Sequence, residues 1–167
     1  MKEIKLTRFG VNQGKYIALI DDEDFERVSQ FNWCAVHRKN TIYASRSVIE
    51  DGKRVYYYLH RFIMNTPREL NSDHIDHDGL NCQKYNLRDC TQQQNLRNKK
   101  HSQKVNYKGA HWSKRAKKWQ SAIYFNKKLI HLGYFKTEIE AANAYDAKAN
   151  ELYGEFAYLN FPEKYVL

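Results

Sequence analysis

The sequence predicts an α+β protein, with a strand-rich first half followed by a three-stranded antiparallel sheet packed on one helix. Short β-type runs bounded by turn residues dominate residues 1–60, and an alanine-rich helical pattern lies near the end of the chain. The 167 residues are enough for one domain or two small ones. Charge is polarised as well, because 13 of the 19 acidic residues lie before Cys90.

The first half is predicted to contain strands and one short helix. The run at 16–20 is apolar and typical of a strand. Residues 22–30 predict a short helix, because their acidic side chains fall in its first turn, where the helix dipole favours negative charge. Residues 42–59 alternate in part around an Asp-Gly turn signal, which predicts a β-hairpin. The apolar run at 60–64 is expected to pack into the core.

The second half contains three strand-like pieces, at 109–112, 119–125 and 128–134. Two residues separate the last two pieces, which predicts a tight turn between them. Thr137 and Glu140 have the spacing of a capping box, so a helix is expected to begin there. The alanine-rich run that follows predicts a helix that ends at Gly154 and lies close on the sheet.

These elements predict two domains. The stretch at 99–106 is polar, basic and without apolar periodicity, as expected of a linker. The predicted division is a first domain at 1–98 (leader 1–54, compact core about 55–98), the linker at 99–106, a second domain at 107–162 and a tail at 163–167.

Composition indicates a polyanionic partner. The net charge is +9 and the pI about 9.4. Between Cys90 and Thr137 there is no Asp or Glu, while 12 Lys and Arg occur. Phosphate neutralisation with counterion release drives binding of such segments to nucleic acid, which we favour over a membrane surface. No apolar run approaches a membrane-spanning length and the first residues do not resemble a signal peptide, so a cytoplasmic protein is expected.

Three cysteines, Cys34, Cys82 and Cys90, form no C-x-x-C pair. An odd number without export signals argues against a disulfide framework, so buried thiols are the default interpretation. A structural zinc site that combines His74 or His77 with Cys82 and Cys90 is the alternative, although the spacing matches no standard template.

The stretch at 73–98 has the residue types of a metal-dependent hydrolytic site. Asp73 and His74 are neighbours, so on a strand one side chain can hold a metal while the other addresses a water. Asn95 would add a second oxygen ligand of the kind that hard cations prefer. A neutral imidazole is a suitable general base at cellular pH. In the plainer alternative, Asp73 and His74 belong to a surface turn and Asn86 only pins the loop.

In order along the chain, the residues His60-Arg61-Phe62, Asp73-His74-Ile75-Asp76, Asn86-Leu87-Arg88, Thr91-Gln92, Asn95 and Asn98 resemble the HNH nucleases, in particular the phage and intron-encoded homing endonucleases. The resemblance covers about residues 55–100. It implies a ββα-metal fold in which His74 is the general base, Asp73 and Asn95 bind one divalent cation and Asn86 holds the catalytic loop. Asn95 stands where many HNH proteins have His, which argues for Mg²⁺ or Mn²⁺ over zinc. His60, Arg61 and Arg88 are expected either to contact flanking phosphates or to pack in the core or at a strand end.

From about residue 106 to 162 the chain resembles the DNA-binding domain of plant ethylene-response factors. The residues that carry this resemblance are Tyr107-Lys108-Gly109-Ala110-His111-Trp112, Trp119, His131-Leu132-Gly133-Tyr134-Phe135, Glu140-Ala141-Ala142, Ala144-Tyr145-Asp146 and Leu159-Asn160-Phe161. The resemblance implies a three-stranded sheet that lies in the major groove. The outward positions that it implies are Lys108, His111, Ser113, Arg115, Ala122, Tyr124, Leu129 and His131. Phosphate contacts are expected from Lys114, Lys117 and Lys118. The plant domains use mostly Arg and Trp at the outward positions, so their target sequence is not transferable.

Together these features predict a site-specific, metal-dependent DNA endonuclease of the homing type, a hydrolase that nicks a phosphodiester bond. We expect one Mg²⁺ or Mn²⁺ per chain, double-stranded DNA as partner, no membrane, no small-molecule cofactor, and a monomer or weak homodimer in the cytoplasm of a phage-infected or bacterial cell. The alternative is a non-catalytic, sequence-specific DNA-binding regulator that keeps an HNH shell. An RNA-binding module is weaker, because no single-strand stacking motif is present.

Overall fold

A computed structural model of the protein describes residues 1–7, 15–38, 41–100 and 105–165. The described residues form ten strands, four α-helices and four single-turn 3-10 helices, so the predicted α+β class is confirmed. The chain divides into two compact units, Met1–Gln92 and Gln93–Leu167. The predicted linker at 99–106 and tail at 163–167 lie partly outside the described residues. No helix among the described residues is both long and apolar enough to cross a membrane.

The first unit consists of small antiparallel sheets and two short helices. Its elements are β1 (Lys2–Lys5), β2 (Ile17–Ile20), α1 (Phe25–Ser29), β3 (Cys34–His37), β4 (Ile42–Glu50), β5 (Lys53–Tyr58), α2 (Leu59–Met64), β6 (Asn71–His74) and β7 (Leu87–Cys90). The sheet pairings are β1–β2, β3–β4–β5 and β6–β7. In β2 the burial alternates with period two, since Ala18 and Ile20 are fully buried. These residues join Leu6, Trp33 and Leu59 in one apolar core.

The β4–β5 hairpin follows the sequence prediction. Asp51 and Gly52 form its turn with φ of 49° and 73°, a conformation that favours glycine. Helix α2 then buries Leu59, His60 and Ile63, as expected for the apolar run. It ends at Asn65, which has the left-handed conformation common at helix ends.

The second unit is a three-stranded antiparallel sheet covered on one face by a helix. Helix α3 (Gln92–Asn98) belongs to this unit except for its first residue. The other elements are β8 (Ala110–Ser113), β9 (Lys118–Phe125), β10 (Lys128–Phe135) and α4 (Glu138–Tyr153). The strand order is β10–β9–β8. The predicted capping box at Thr137 and Glu140 is confirmed by both of its hydrogen bonds. Asn126 and Lys127 form the predicted tight turn with positive φ at both positions.

Small residues bring α4 close to the sheet. Ala141, Ala142 and Ala149 are fully buried against the strands. Asp146 is buried as well, and its carboxylate accepts hydrogen bonds from the backbone N–H of Asn160 and Phe161 at 2.9 and 2.8 Å. This carboxylate therefore fastens the C-terminal segment to the helix.

Candidate active site

The hairpin β6–β7 carries the Asp-His pair that the sequence singles out. Its register places Asp73 opposite Arg88 and His74 opposite Leu87. Asp73 and His74 are only 7% and 5% exposed, so both faces of β6 are covered at this point. The two side chains are therefore not part of a surface turn, and both lie in a largely dehydrated environment.

Asp73 is engaged in an ion pair with Arg88. The Asp73 Oδ2 atom lies 3.0 Å from Arg88 Nη2 and 3.2 Å from Nε. Arg88 is itself 9% exposed, so the pair is desolvated on both sides. A buried carboxylate needs such a partner, because the transfer of one unpaired ion from water into the protein interior costs on the order of several kcal/mol. The predicted phosphate contact of Arg88 stays a prediction. In the structure the Arg88 guanidinium neutralises the Asp73 carboxylate.

His74 lies among other rings. Its ring centroid is 4.7 Å from that of His60 and 5.7 Å from that of Tyr43, and its Nε2 atom lies 3.9 Å from Cys82 Sγ. Burial lowers the pKa of His74 to about 4, against the opposing effect of Asp76 and other nearby carboxylates. The imidazole is therefore neutral at cellular pH, which is the form that can accept a proton.

The loop that follows His74 is held by Asn86. The Oδ1 atom of Asn86 accepts from the backbone N–H of Asp76 at 3.0 Å, and its Nδ2 donates to the Asn81 carbonyl at 2.8 Å and to Asp76 Oδ1 at 2.9 Å. Burial raises the pKa of Asp76, but hydrogen bonds from Asp78, Asn81 and Asn86 outweigh it and leave the pKa below its ordinary value. Asn86 is 2% exposed and fully occupied by these contacts. Its contribution to catalysis stays a prediction.

Three further rings lie near His74: that of His60, which the sequence predicted either to contact a phosphate or to pack in the core, and those of Tyr43 and Tyr58, which the sequence did not single out. His60 is 7% exposed, and its Nδ1 atom has no hydrogen-bond partner among the described residues. Burial lowers its pKa to about 3, with a further contribution from His74. The rings of Tyr43 and Tyr58 lie 5.4 and 5.6 Å from that of His60. The His-Arg-Phe stretch gave a signal for His60, whereas only the register of β4 and β5 brings the tyrosines here.

Arg61 and Asn95 have clear positions in the structure. Arg61 donates to the carbonyls of Leu70 and Pro67 at 2.7 and 2.8 Å, and thereby closes the turn that leads into β6. Its predicted DNA contact stays a prediction. Asn95 is half-buried on α3 and belongs to the second unit. That Asn95 and Asp73 share one cation also stays a prediction.

Most of the predicted DNA-binding residues of the second unit are accessible. His111, Tyr124 and His131 are exposed on the sheet, Ser113 is half-buried, and the exposed cations are Lys114, Arg115, Lys117 and Lys118. Lys108 differs from the expected outward position. Its ammonium donates to the carbonyls of Arg97 and Lys99 at 2.7 and 2.9 Å, and burial lowers its pKa to about 8. Ala122, which was also expected to be an outward position, is only 8% exposed.

The donor set bears on which metal could bind. Within the described ranges, no three His, Cys, Asp or Glu side chains are gathered as a metal-binding group. Cys82 and Cys90 are buried thiols, and burial raises the pKa of the Cys82 thiol, which disfavours the thiolate that zinc requires. The Asp73 carboxylate is a hard oxygen donor, which fits Mg²⁺ or Mn²⁺.

Comparison with known proteins adds an independent observation. No protein-family model matches the chain. The chain is similar to an uncharacterised HNH endonuclease of Acanthamoeba polyphaga mimivirus, with 37% identity over 105 residues that cover 59% of this chain and 54% of that protein. The chain thus spans about half the length of this curated relative. The similarity supports a relationship to the HNH endonucleases.

Proposed function

We propose that this protein is a metal-dependent DNA endonuclease of the HNH type, and that it acts as a site-specific, homing-type enzyme. The observation that carries the proposal is the neutral, buried imidazole of His74 next along the strand to the buried carboxylate of Asp73. The mimivirus relative supports the same reaction class. The basic surface of the second unit supports DNA as substrate.

In the proposed reaction, His74 takes a proton from a water that attacks the scissile phosphorus. The bond from phosphorus to the 3′ oxygen breaks, and that oxygen leaves with a proton from solvent. Asp73 and Asn95 would hold the cation, which when bound relieves charge on the phosphate and on the leaving oxygen. General-base catalysis of this kind contributes about 10²- to 10⁴-fold.

The rings around His74 restrict its orientation. His60 and Tyr43 contact the imidazole with their own rings, and Asn86 fixes the loop that begins at the next residue. A side chain held by packing keeps its reactive atom in position without further loss of entropy when substrate binds. The burial of His60 therefore serves orientation of the base in this proposal.

Arg88 is expected to weaken cation binding. Its guanidinium already neutralises the Asp73 carboxylate at 3.0 Å, so a cation meets less negative charge than an unpaired carboxylate would offer. Metal bound through one partly neutralised carboxylate and one amide should exchange readily. We therefore expect cleavage to depend on the Mg²⁺ concentration rather than on metal that copurifies with the protein.

Nicking of supercoiled plasmid in Mg²⁺ tests the proposal. We expect His74→Ala to lower the nicking rate by about 100-fold or more, because it removes the general base, while DNA affinity stays nearly unchanged. His37→Ala is the matched control, since His37 is an exposed imidazole at the end of β3. Near-wild-type nicking by His74→Ala would overturn the assignment. A single site per chain should give nicks before double-strand breaks.

The ion pair of Asp73 with Arg88 also favours a second candidate function, a DNA-binding regulator that keeps the HNH shell without cleavage. In a regulator the pair would serve stability alone. Site-specific DNA binding with no nicking by the wild-type protein at any Mg²⁺ or Mn²⁺ concentration would select this function over the nuclease.

A further inference from the structure

The sheet of the second unit has one face that α4 leaves uncovered. Ile123 and Ile130 point toward α4 and its core, so the alternate positions on β9 and β10 point away from it. Three cross-strand pairs occupy this outer sheet face, namely Tyr124 with Leu129, Ala122 with His131, and Gln120 with Tyr134. Strand register thus arranges these six side chains in three successive rows.

The row nearest the β9–β10 turn is apolar and exposed. Tyr124 is 62% exposed and its partner Leu129 is 67% exposed. Neither side chain is part of the apolar cores of this unit, which use the opposite face. Two large apolar side chains side by side in water are unfavourable in the free protein, by about 25 cal/mol per Å² of exposed apolar surface, and such pairs commonly mark binding surfaces.

The surroundings of this row indicate its occupant. Lys127 forms part of the adjacent turn, and Lys128 directly precedes Leu129. No acidic residue occurs anywhere between Cys90 and Thr137. Lysines beside a small apolar pair complement a polyanion that presents an apolar group. Duplex DNA meets this description, and its major groove admits a two-stranded β-ribbon such as β9–β10.

We propose that Tyr124 and Leu129 recognise thymine through its 5-methyl group in the major groove. The inference rests on the proposed function, since it assumes that the second unit binds duplex DNA. The leucine side chain has no hydrogen-bonding group, so it cannot distinguish one base from another by their hydrogen-bond donors and acceptors. Among the groups on the major-groove edges of the bases, the thymine methyl is the apolar one. It is therefore the group that an exposed apolar side chain can contact favourably there.

The other two rows complete the chemical pattern. His131 and Gln120 carry hydrogen-bonding groups, and the His131 ring lies 4.7 Å from that of Tyr134. Ala122 is small, so the middle of the face is recessed between the longer side chains. The face therefore changes from apolar at the turn to polar farther along the strands, and methyl recognition is confined to the bases next to the turn.

Replacement of thymine by deoxyuridine tests this inference, because it removes the methyl and keeps every hydrogen-bonding group. The full-length protein in chelator, so that DNA is not cut, is used to enrich bound duplexes from a random-sequence pool. The recovered duplex is then made with each thymine singly replaced by deoxyuridine. We expect about a fourfold loss of affinity at one or two adjacent positions, which corresponds to burial of one methyl group.

The variants Leu129→Ala and Tyr124→Ala should each bring the thymine-to-deoxyuridine affinity ratio toward one at those positions. Lys128→Gln is the matched control. It should lower affinity for both duplexes equally, because it removes a cation and no methyl contact. Both apolar side chains are largely exposed, so unchanged thermal unfolding is expected for their variants.

The outcomes separate the two proposals. If no duplex is enriched, DNA binding itself fails, and the proposed function fails with it. If a duplex is enriched and every deoxyuridine is tolerated, methyl recognition alone is overturned. If deoxyuridine weakens binding and the ratio persists in both alanine variants, the methyl is contacted elsewhere and the assignment to Tyr124 and Leu129 is overturned. Preference for a single-stranded pool would overturn it as well.

Discussion

The two units of this protein hold their polar groups in opposite ways. In the first unit, Asp73, His74 and Arg88 are all less than one-tenth exposed and contact each other or neighbouring rings. In the second unit, cations such as Arg115 and Lys118 are exposed around a conventional apolar core. Burial fixes protonation state and orientation, as a catalytic group requires, whereas exposure keeps charge available to a large polyanion.

The largest effect is expected where a buried charge loses its partner. Asp73→Ala should lower the free energy of unfolding of the first unit by about 3–5 kcal/mol, because the buried guanidinium of Arg88 loses the carboxylate with which it forms an ion pair. Chemical denaturation with a probe in the first unit measures this loss. The double variant Asp73→Leu with Arg88→Met should regain much of the stability and still not cleave DNA.

An exposed pair provides the control for that measurement. Glu151→Ala breaks the ion pair of Glu151 with Lys148 on α4, where Glu151 is 62% exposed. Such a pair contributes about 0–1 kcal/mol at most. Equal losses from Asp73→Ala and Glu151→Ala would remove the contrast between the two units.

The exposed cations should control the salt dependence of DNA binding. Replacing Lys114, Arg115, Lys117 and Lys118 together by Gln should make the slope of log affinity against log salt shallower by up to about 3.6, at about 0.9 for each phosphate that the protein no longer neutralises. Titrations of a duplex at several salt concentrations measure the slope. Folding should be unaffected, since all four side chains are exposed.

Four lysines of the first unit, Lys2, Lys5, Lys15 and Lys53, allow a matched control with the same change of charge. All four are exposed. Their replacement by Gln should leave the slope close to that of the wild type. If both quadruple variants changed the slope equally, DNA contacts would be shared by the units rather than concentrated in the second.

The buried His60 should make the first unit sensitive to acid. Its pKa is about 3 in the folded protein against an ordinary value of 6.5, so the unfolded chain takes up the proton first as pH falls. Stability is therefore retained above about pH 6.5 and lost below it, by about 2 kcal/mol at pH 5 from this group. Unfolding at pH 7.5 and pH 5 measures the loss.

His60→Phe should reduce this pH dependence even where it changes the overall stability. His111→Phe is the control, because His111 is an exposed imidazole on β8. An acid sensitivity that is unchanged in His60→Phe would show that His60 is protonated in the folded protein without penalty.

The smallest effect is expected from the helix cap of the second unit. Thr137→Ala removes the side chain that accepts from the Glu140 backbone N–H, and should cost about 1 kcal/mol of stability. Calorimetry of the second unit's transition measures it. DNA affinity should stay the same under conditions where the unit is folded, whereas a parallel loss of affinity would tie recognition to the helix end.

Local signals explain why the second unit could be predicted closely. The Asn-Lys turn, the capping box at Thr137 and the glycine after Tyr153 each act within a few residues, and each is present in the structure. The strand positions follow from these boundaries within one or two residues. The outward position predicted for Lys108 is wrong, because its acceptors are carbonyls about ten residues earlier in the chain.

The environment of the candidate site depends on contacts between distant segments. Asp73 and His74 stand out by their order in the sequence, whereas the Arg88 ion pair requires the register of β6 and β7. Tyr43 reaches His74 only because β4 lies beside the loop that follows His74. A sequence pattern identifies His74 as a candidate residue, but it does not give the pKa of His74, because that pKa is lowered by the distant segments that bury the ring.

The contact between Gly79 and β4 has a consequence for protein engineering. A Cβ atom at Gly79 would run into the Ile42 carbonyl oxygen and approach the Tyr43 ring at 2.8 Å, so the loop between β6 and β7 is fitted directly against β4. A graft of residues 55–100 into another scaffold would lack β4, the strand against which this side of the loop packs. The smallest transplantable cassette therefore starts no later than Ile42, and libraries that vary position 43 should vary position 79 together with it.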